Sequence, residues 1–348
     1  MSDPVELRSL TLPELERLVV DAWRLPRFRA RQIFAWVHGR GVISTDAMTD
    51  LAKDLRHSLA GRVSLAPLSL DAELSSADGT RKLALRLGDG ARIETVLIPE
   101  GDKITQCLST QVGCGLGCRF CATASMGLLR SLGPGEIVDQ VYRARALLPA
   151  GRRISNLVFM GMGEPLNNLD SVLAAVEILC TDIGANCSPR RITISTAGVV
   201  PGIEELGRRN RHVGLAVSLN ATTDAVRDQL MPVNRRWPLA ELMAALRRYP
   251  LPKRRRITFE YVLIDGLNDT AADARRLVQL LSGIRAKVNL IPYNPARDSG
   301  LQRPAPEAVE AFAERLRAKD LSTFVRQSRG DDIAAACGQL VTRPSRSP

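Results

Sequence analysis

Four of the chain's seven cysteines, Cys107, Cys114, Cys118 and Cys121, fall in the stretch C-L-S-T-Q-V-G-C-G-L-G-C-R-F-C. The last three make a C-x3-C-x2-C pattern. Thiols so close together can form a disulfide, hold zinc or hold an iron–sulfur cluster. Met1-Ser2-Asp3-Pro4 does not begin a signal peptide, so a cytoplasmic setting is expected and the thiols stay reduced there. Structural zinc takes four protein ligands, commonly from two C-x-x-C pairs or with histidine. His38, His57 and His212 are all remote in sequence, and there is no second C-x-x-C. An iron–sulfur cluster takes cysteine thiolates, and three from one loop would leave one iron open to bind and cleave a ligand. The spacing favours the cluster, with zinc and plain reactive thiols as the alternatives.

Other chemistry-bearing residues stand where β-prone runs end. Leu157-Val158-Phe159-Met160 runs into Gly161-Met162-Gly163-Glu164-Pro165, where two glycines permit close backbone approach to a ligand and Glu164 offers a carboxylate for an ammonium group. Taken alone, that string is an ordinary glycine turn. Ser195, the pair Ser218 and Asn220, and Asn294 close three further runs with hydroxyls and amides. Cys180 and Cys187, on or after a helix, read as packing residues. An isolated cysteine is usually structural too, but Cys337 stands in the loop-like string R-G-D-D-I-A-A-A-C-G.

The formal net charge of +11 points to a polyanionic partner, with a solvated arginine-rich surface as the plain alternative. Much of the excess is clustered: Arg152-Arg153, Arg190-Arg191, Arg208-Arg209 with Arg211, Arg235-Arg236, Arg247-Arg248 and Lys253 to Arg256. If these meet phosphates, replacing Arg254 and Arg255 by alanine should weaken nucleic-acid binding and flatten its salt dependence. No run of eighteen apolar residues is present, so no membrane span is expected.

The elements that must position these residues follow from periodicity. Thr11-Leu12-Pro13-Glu14 has capping-box spacing, and Ala30, Ile33, Phe34 and Val37 repeat as one helical face that Gly39 can end. Met48, Leu51, Leu55 and Leu59 continue the helical pattern, giving a module over residues 1–62. Leu83, Leu85 and Leu87, the turn Asp89-Gly90, then Ile93, Val96 and Ile98 predict a hairpin within residues 63–103. Residues 104–330 alternate strand and helix, with strands predicted at 104–109, 157–160, 192–195, 213–219, 257–263 and 288–292. Six such units imply an α/β fold with a parallel sheet, too few for a closed eight-stranded barrel. Residues 331–348 carry Cys337 and then a short basic tail, expected to be disordered after Thr342.

C-x3-C-x2-C with Phe120 before its last cysteine resembles the radical S-adenosylmethionine (SAM) superfamily. The longer strings Q-V-G-C-G-L-G-C-R-F-C-A-T and R-G-D-D-I-A-A-A-C-G-Q-L resemble, more narrowly, the RlmN/Cfr family of adenine methyltransferases acting on RNA. The likeness extends from about Leu25 to Leu340. It implies a partial (βα)6 barrel with an N-terminal accessory domain that contacts RNA. It implies a 4Fe–4S cluster on Cys114, Cys118 and Cys121, and a SAM pocket lined by Gly163, Glu164, Ser195, Ser218, Leu219, Asn220 and Asn294. The sequence departs from relatives at Asn220, where they commonly have histidine.

The resemblance also implies roles for the remaining residues. Cys337 takes a methyl group from SAM, and a radical made from a second SAM activates it for addition to adenine. Cys107 then attacks the Cys337 sulfur to release the product, and Glu94 accepts a proton. Further implications are C2 methylation of an adenosine in 23S rRNA and also in tRNA, an electron donor such as flavodoxin, a monomer, and no membrane partner. The C8-methylating branch is the nearest alternative. A non-catalytic cluster- or zinc-containing RNA-binding protein, and a radical enzyme acting on protein, are the alternatives from other classes.

Overall fold

The computed structural model describes residues 4–209, 212–295 and 299–341. Arg211 and the tail after Thr342 lie outside them. The expected N-terminal helices form at Leu12–Arg17 (α1), Phe28–Phe34 (α2) and Lys53–Ala60 (α3). At Thr11 the amide and the hydroxyl both donate to the Glu14 carboxylate, at 2.9 and 2.7 Å. Ala30, Ile33, Phe34 and Val37 are fully buried as one face, and a π turn at 35–39 completes that helix. Met48 and Leu51 are also buried, but on a short 3-10 turn and the link after it rather than on a helix continuous with Leu59.

Ten strands make one sheet, in chain order from edge to edge: β1 (Ser69–Ser75), β2 (Arg81–Arg86), β3 (Arg92–Glu100), β4 (Lys103–Cys107), β5 (Asn156–Phe159), β6 (Ile192–Thr196), β7 (Gly214–Ser218), β8 (Ile257–Leu263), β9 (Ala286–Pro292) and β10 (Thr323–Val325). The run β4 to β10 is parallel, and β1 to β4 is antiparallel. The hairpin expected at 83–98 is therefore the middle of a three-strand extension whose β3 pairs directly with the first barrel strand. β1 is not among the expected strands, although Leu70, Ala72 and Leu74 alternate with polar residues; the strand is exposed along its whole length. Periodicity also misses the three-residue β10, a seventh parallel strand beyond the six expected.

Helices at Pro134–Ala146 (α4), Leu169–Cys180 (α5), Val200–Arg208 (α6), Asp224–Leu230 (α7), Leu239–Arg248 (α8), Ala271–Leu281 (α9) and Pro306–Arg317 (α10) return the chain between parallel strands. β8 runs Ile257, Phe259, Tyr261 and Leu263 into the core at zero exposure, and α4 turns Ile137, Val138, Val141 and Ala144 toward it. The N-terminal helices are tied to α4. Arg8 bonds the Asp139 carboxylate, whose other oxygen accepts the Leu68 amide at 2.6 Å, and His38 Nδ1 meets the Tyr142 hydroxyl at 2.8 Å. Burial lowers the His38 pKa to about 3, which keeps the ring neutral in this contact. Among the described residues no helix is long and apolar enough to cross a membrane.

Parallel strands give the barrel two unlike ends, and the arginine clusters are distributed unequally between them. Arg152-Arg153, Arg190-Arg191 and Lys253 to Arg256 directly precede β5, β6 and β8, while Arg208-Arg209 and Arg247-Arg248 end α6 and α8. All of these stand at the strands' N-terminal end. Cys107, Ser195 and Ser218 stand at the C-terminal ends of their strands. Arg255 also spends its guanidinium on the carbonyls of His212 and Arg190, the former at 2.9 Å. Arg254 and Arg255 thus stand at the end of the barrel away from the cleft. Replacing both by alanine should leave RNA affinity within about twofold and the salt slope within one unit, read by filter binding across a salt series.

Candidate active site

The C-terminal ends of the strands surround a cleft open to solvent. Cys114, Cys118 and Cys121 line one wall, on the loop after β4. Facing them are Gly163 and Glu164 after β5, Ser195 on β6, Ser218 and Asn220 at the end of β7, and Asn294 after β9. A second chamber of about 690 Å³ adjoins the first and is lined by Cys107, Arg326 and Ile98. Cys121, Met160, Asn294 and Cys337 belong to both linings. Cys337 thus stands in the partition between the two spaces.

Glycine is demanded at 161 and 163 by the chain rather than by a ligand. A Cβ on Gly161 would lie 2.7 Å from the Leu108 carbonyl, and one on Gly163 would lie 2.5 Å from the Gln111 Cβ. Gly163 also has φ +97, a backbone that side chains rarely adopt. The close approach is used: the Thr110 amide donates to the Met162 carbonyl at 2.8 Å, and the Glu164 amide to the Gln111 side chain at 2.9 Å.

Glu164 is buried, and its two oxygens accept from the Leu166 and Ala197 amides at 3.0 and 2.8 Å. Burial outweighs these bonds and raises its pKa to about 7. A ligand ammonium would restore the charged form. Asn220 sits at φ +57, a left-handed conformation that asparagine tolerates better than most residues. Its Oδ1 accepts the Val262 amide at 2.9 Å, so the residue shapes the cleft while half its amide serves the backbone.

Two expected residues are not on these walls. Leu219 is fully buried and absent from both linings, its amide and carbonyl committed to the Glu260 carbonyl and to Arg227. The expectation that its side chain lines the pocket is corrected to a core role between two lining neighbours. Glu94 is likewise buried behind the Cys337 loop. It pairs with Lys82 at 3.2 Å and accepts the Val341 amide at 3.0 Å.

Sequence reasoning also misses residues. Arg227 is fully buried, donating to the Leu219 carbonyl, Asn234 and the Ala197 carbonyl behind the cysteine loop. Glu260 lines the cleft from inside β8. Both fall in otherwise plain helix and strand patterns, and only the turn of the chain brings them inward.

The thiols are high in pKa here, chiefly through burial: Cys107 reaches about 12 and Cys114 about 11, while Cys118 and Cys337 are raised too. Cys121 adds to the rise at Cys114, and Cys121 and Cys114 add to the rise at Cys118, which places the three together. No trio of His, Cys, Asp or Glu among the described residues closes around a single metal ion. Three mutually sensed thiols on the wall of a roomy cleft fit a larger, thiolate-held group such as a cluster.

The radical SAM superfamily model matches residues 108–278, and a ribosomal RNA large subunit methyltransferase N-terminal domain model matches residues 5–65. Proteins named dual-specificity RNA methyltransferase RlmN are similar over nearly the whole chain. The one from Anaeromyxobacter dehalogenans is 52% identical, covering 97% of this chain and 92% of its own. The one from Geobacter sulfurreducens is 50% identical, covering 98% and 93%. This chain belongs to the RlmN family. A crystal structure of a radical SAM methyltransferase from Sphaerobacter thermophilus superposes with TM-score 0.90 at 49% identity, over 97% of this chain and 99% of that one. As an RlmN-family radical SAM methyltransferase, the protein uses a 4Fe–4S cluster and SAM.

Two outcomes follow for the cleft. Anaerobically reconstituted protein should carry about four irons, and changing Cys114, Cys118 or Cys121 to alanine should remove its brown colour. SAM affinity should trace a bell in pH. It should rise about tenfold per unit toward pH 7 as Glu164 ionises, then fall as the SAM amine loses its proton near ~8. Equilibrium dialysis reads both limbs, and Glu164→Gln should lose the acid limb.

Proposed function

We propose that this protein methylates C2 of an adenosine in 23S rRNA, and of an adenosine in tRNA, with Cys337 as the methyl carrier. The observation that carries this reading is the position of Cys337 in the partition between two chambers. One side has the three clustered thiols and the other has Cys107. A carrier that must meet a methyl donor and then a base needs access to both. The dual-specificity name borne by relatives at about 50% identity supports the choice of RNA substrates.

Cys114, Cys118 and Cys121 would hold the cluster, which when bound supplies the electron that cleaves SAM. Glu164 would take the SAM ammonium, with Gly163, Ser195, Ser218, Asn220 and Asn294 shaping the rest of that pocket. The Cys337 sulfur takes a methyl group from one SAM, which leaves as S-adenosylhomocysteine. A radical made from a second SAM removes one hydrogen from that methyl group. The methyl carbon then bonds C2 of the adenine in the second chamber; the C2 hydrogen leaves as a proton and the adduct gives up one electron. Cys107 then attacks the Cys337 sulfur. An S–S bond forms as the S–C bond to the RNA breaks, and the released carbon takes up a proton to become the base's methyl group. Attack needs a thiolate, which burial disfavours at both cysteines. Arg326, beside both, acts in the opposite direction and lowers each.

Glu94 can take a proton from the base only after the Val341 amide releases it, so its proton uptake is tied to movement of the Cys337 loop. The electron comes from an acidic one-electron carrier such as flavodoxin, and the chain works as a monomer.

Mass spectrometry of nucleosides from a strain lacking the gene should show loss of C2-methyladenosine from 23S rRNA and tRNA, restored by the intact gene. Loss of C8-methyladenosine instead would overturn the regiochemistry. Cys337→Ala should give neither product nor adduct. Cys107→Ala should accumulate RNA bound covalently through Cys337, seen as a ribonuclease-sensitive shifted band on a denaturing gel. Normal turnover by Cys107→Ala would refute the pairing of these two residues.

A further inference from the structure

The loop that carries Cys114, Cys118 and Cys121 also has an outer side. Gly115, Gly117 and Arg119 are exposed along it, and the cysteines themselves are half-buried, so the outer wall of the cleft is thin here. One flank is the two-stranded ribbon of Gln111–Gly113 and Leu128–Ser131, in which the Cys114 amide donates to the Gly127 carbonyl at 2.8 Å. Leu128 and Leu129 on this ribbon are 50% and 71% exposed. Consecutive strand residues point to opposite faces. Leu129 therefore stands out from the ribbon, and Leu128, half exposed, continues that apolar surface to the edge of the loop. Leu128 lies against the loop itself, its Cβ 3.4 Å from where a Cβ on Gly115 would stand.

The other flank is cationic. Gly117 would place a Cβ 3.7 Å from Pro232, and the Arg119 amide donates to the Leu230 carbonyl at 2.9 Å. The short 3-10 turn that begins at Pro232 ends in Arg235, followed by Arg236. Both are exposed, and neither has a carboxylate partner among the described residues. Of the arginine clusters in the described residues, this one stands at the cleft end of the barrel. The others stand at the opposite end.

We infer that the rim formed by Leu128, Leu129, Arg119, Arg235 and Arg236 is the docking surface for an acidic protein that delivers one electron. The inference rests on the reading of Cys114, Cys118 and Cys121 as cluster ligands. An electron must enter from outside, and this loop is the thin wall between solvent and those thiols. Apolar contact gives such an encounter its adhesion, and unpaired arginines give it charge complementarity and rate. RNA phosphates would use the arginines but have no use for two exposed leucines. In the transfer, the donor's reduced cofactor loses one electron and the cluster gains it. No atom is exchanged.

The test uses the reconstituted full-length protein and a purified bacterial flavodoxin as the acidic carrier. Two variants are compared with the parent: Leu129→Glu, and the pair Arg235→Glu with Arg236→Glu. Binding of oxidised flavodoxin is titrated at low and high salt, and cluster reduction by flavodoxin hydroquinone is followed by stopped-flow absorbance. Dithionite reduction and RNA affinity serve as controls. Both variants should weaken flavodoxin binding and slow its reduction of the cluster about tenfold or more, with the arginine effect shrinking at high salt. Dithionite reduction and RNA affinity should be unchanged. Unchanged flavodoxin binding in either variant overturns the proposal. So does loss of RNA affinity with flavodoxin binding intact, which would make the rim an RNA surface. Absence of a visible cluster in the parent would instead refute the reading of the three cysteines.

Discussion

Everything reactive in this molecule depends on a seam where two stretches of backbone approach closer than side chains allow. Residues 108–111 leave the first barrel strand, residues 160–164 leave the second, and they hydrogen-bond to each other beyond the end of the sheet. Glycine at 161 and 163 is the condition for that approach. Overpacking of a tight core contact costs about 1–3 kcal/mol. A Cβ at either position would meet a backbone carbonyl or Gln111, neither of which can swing away as a long side-chain tip could. The seam fixes Cys107 at its start, sends the chain on to Cys114, and sets Glu164 across from it. Both nucleophilic and cofactor-facing residues are thereby referred to one rigid junction.

The last segment of the chain is held against this junction from several directions. The Ala122 amide donates to the Gly338 carbonyl and Thr123 to the Leu340 carbonyl, each at 2.6 Å. Lys82 reaches the Ala334 carbonyl at 3.0 Å while paired with Glu94, which in turn accepts the Val341 amide. These contacts bracket Cys337 on both sides without touching its sulfur. The antiparallel extension is what supplies Lys82 and Glu94. It completes the socket of the Cys337 loop as well as widening the sheet. A buried ion pair adds little stability by itself, because desolvation of both charges offsets their attraction. Its value here is positional, since Lys82 and Glu94 each spend a bond on the loop backbone.

Local pattern makes the barrel legible. The expected span of β8 matches the observed one to the residue, and the other expected strands lie within two residues of those observed. Buried parallel strands and amphipathic helices repeat with strong and different periods, which is why both can be read. β10 is three residues, too short to show a period, and in β1 the alternation of Leu70, Ala72 and Leu74 borders no buried face. The cysteine loop is readable because three thiols at that spacing suit a thiolate-held cluster better than a four-ligand zinc site. Leu219 is misplaced by sequence for a simple reason. Its polar neighbours Ser218 and Asn220 reach the cleft while its apolar side chain is drawn into the core, a division the string itself does not announce. Glu94 illustrates the opposite difficulty. Its strand is visible in sequence, but its partners Lys82 and Val341 come from an antiparallel neighbour and from nearly 250 residues away. The N-terminal module is legible as helices, whereas the Arg8–Asp139 bond that anchors it is not, since no local rule pairs residues 131 apart.

Net charge is a property of the whole chain, and its meaning depends on where the folded chain puts it. The same excess of arginine that suggests a polyanionic partner from composition is largely turned away from the cleft by parallel topology. Segments preceding strands gather at one end, and segments following strands gather at the other. Screening over roughly 8 Å at physiological salt means that charge at the far end of a barrel contributes little to a contact at the near end. Few positive groups stand where they can meet a substrate at Cys337. Arg326 and Arg329 line the chamber beside the two cysteines, whereas Arg235 and Arg236 stand outside it, beside the cysteine loop. A basic composition thus resolves into separate local roles that the topology of the sheet assigns.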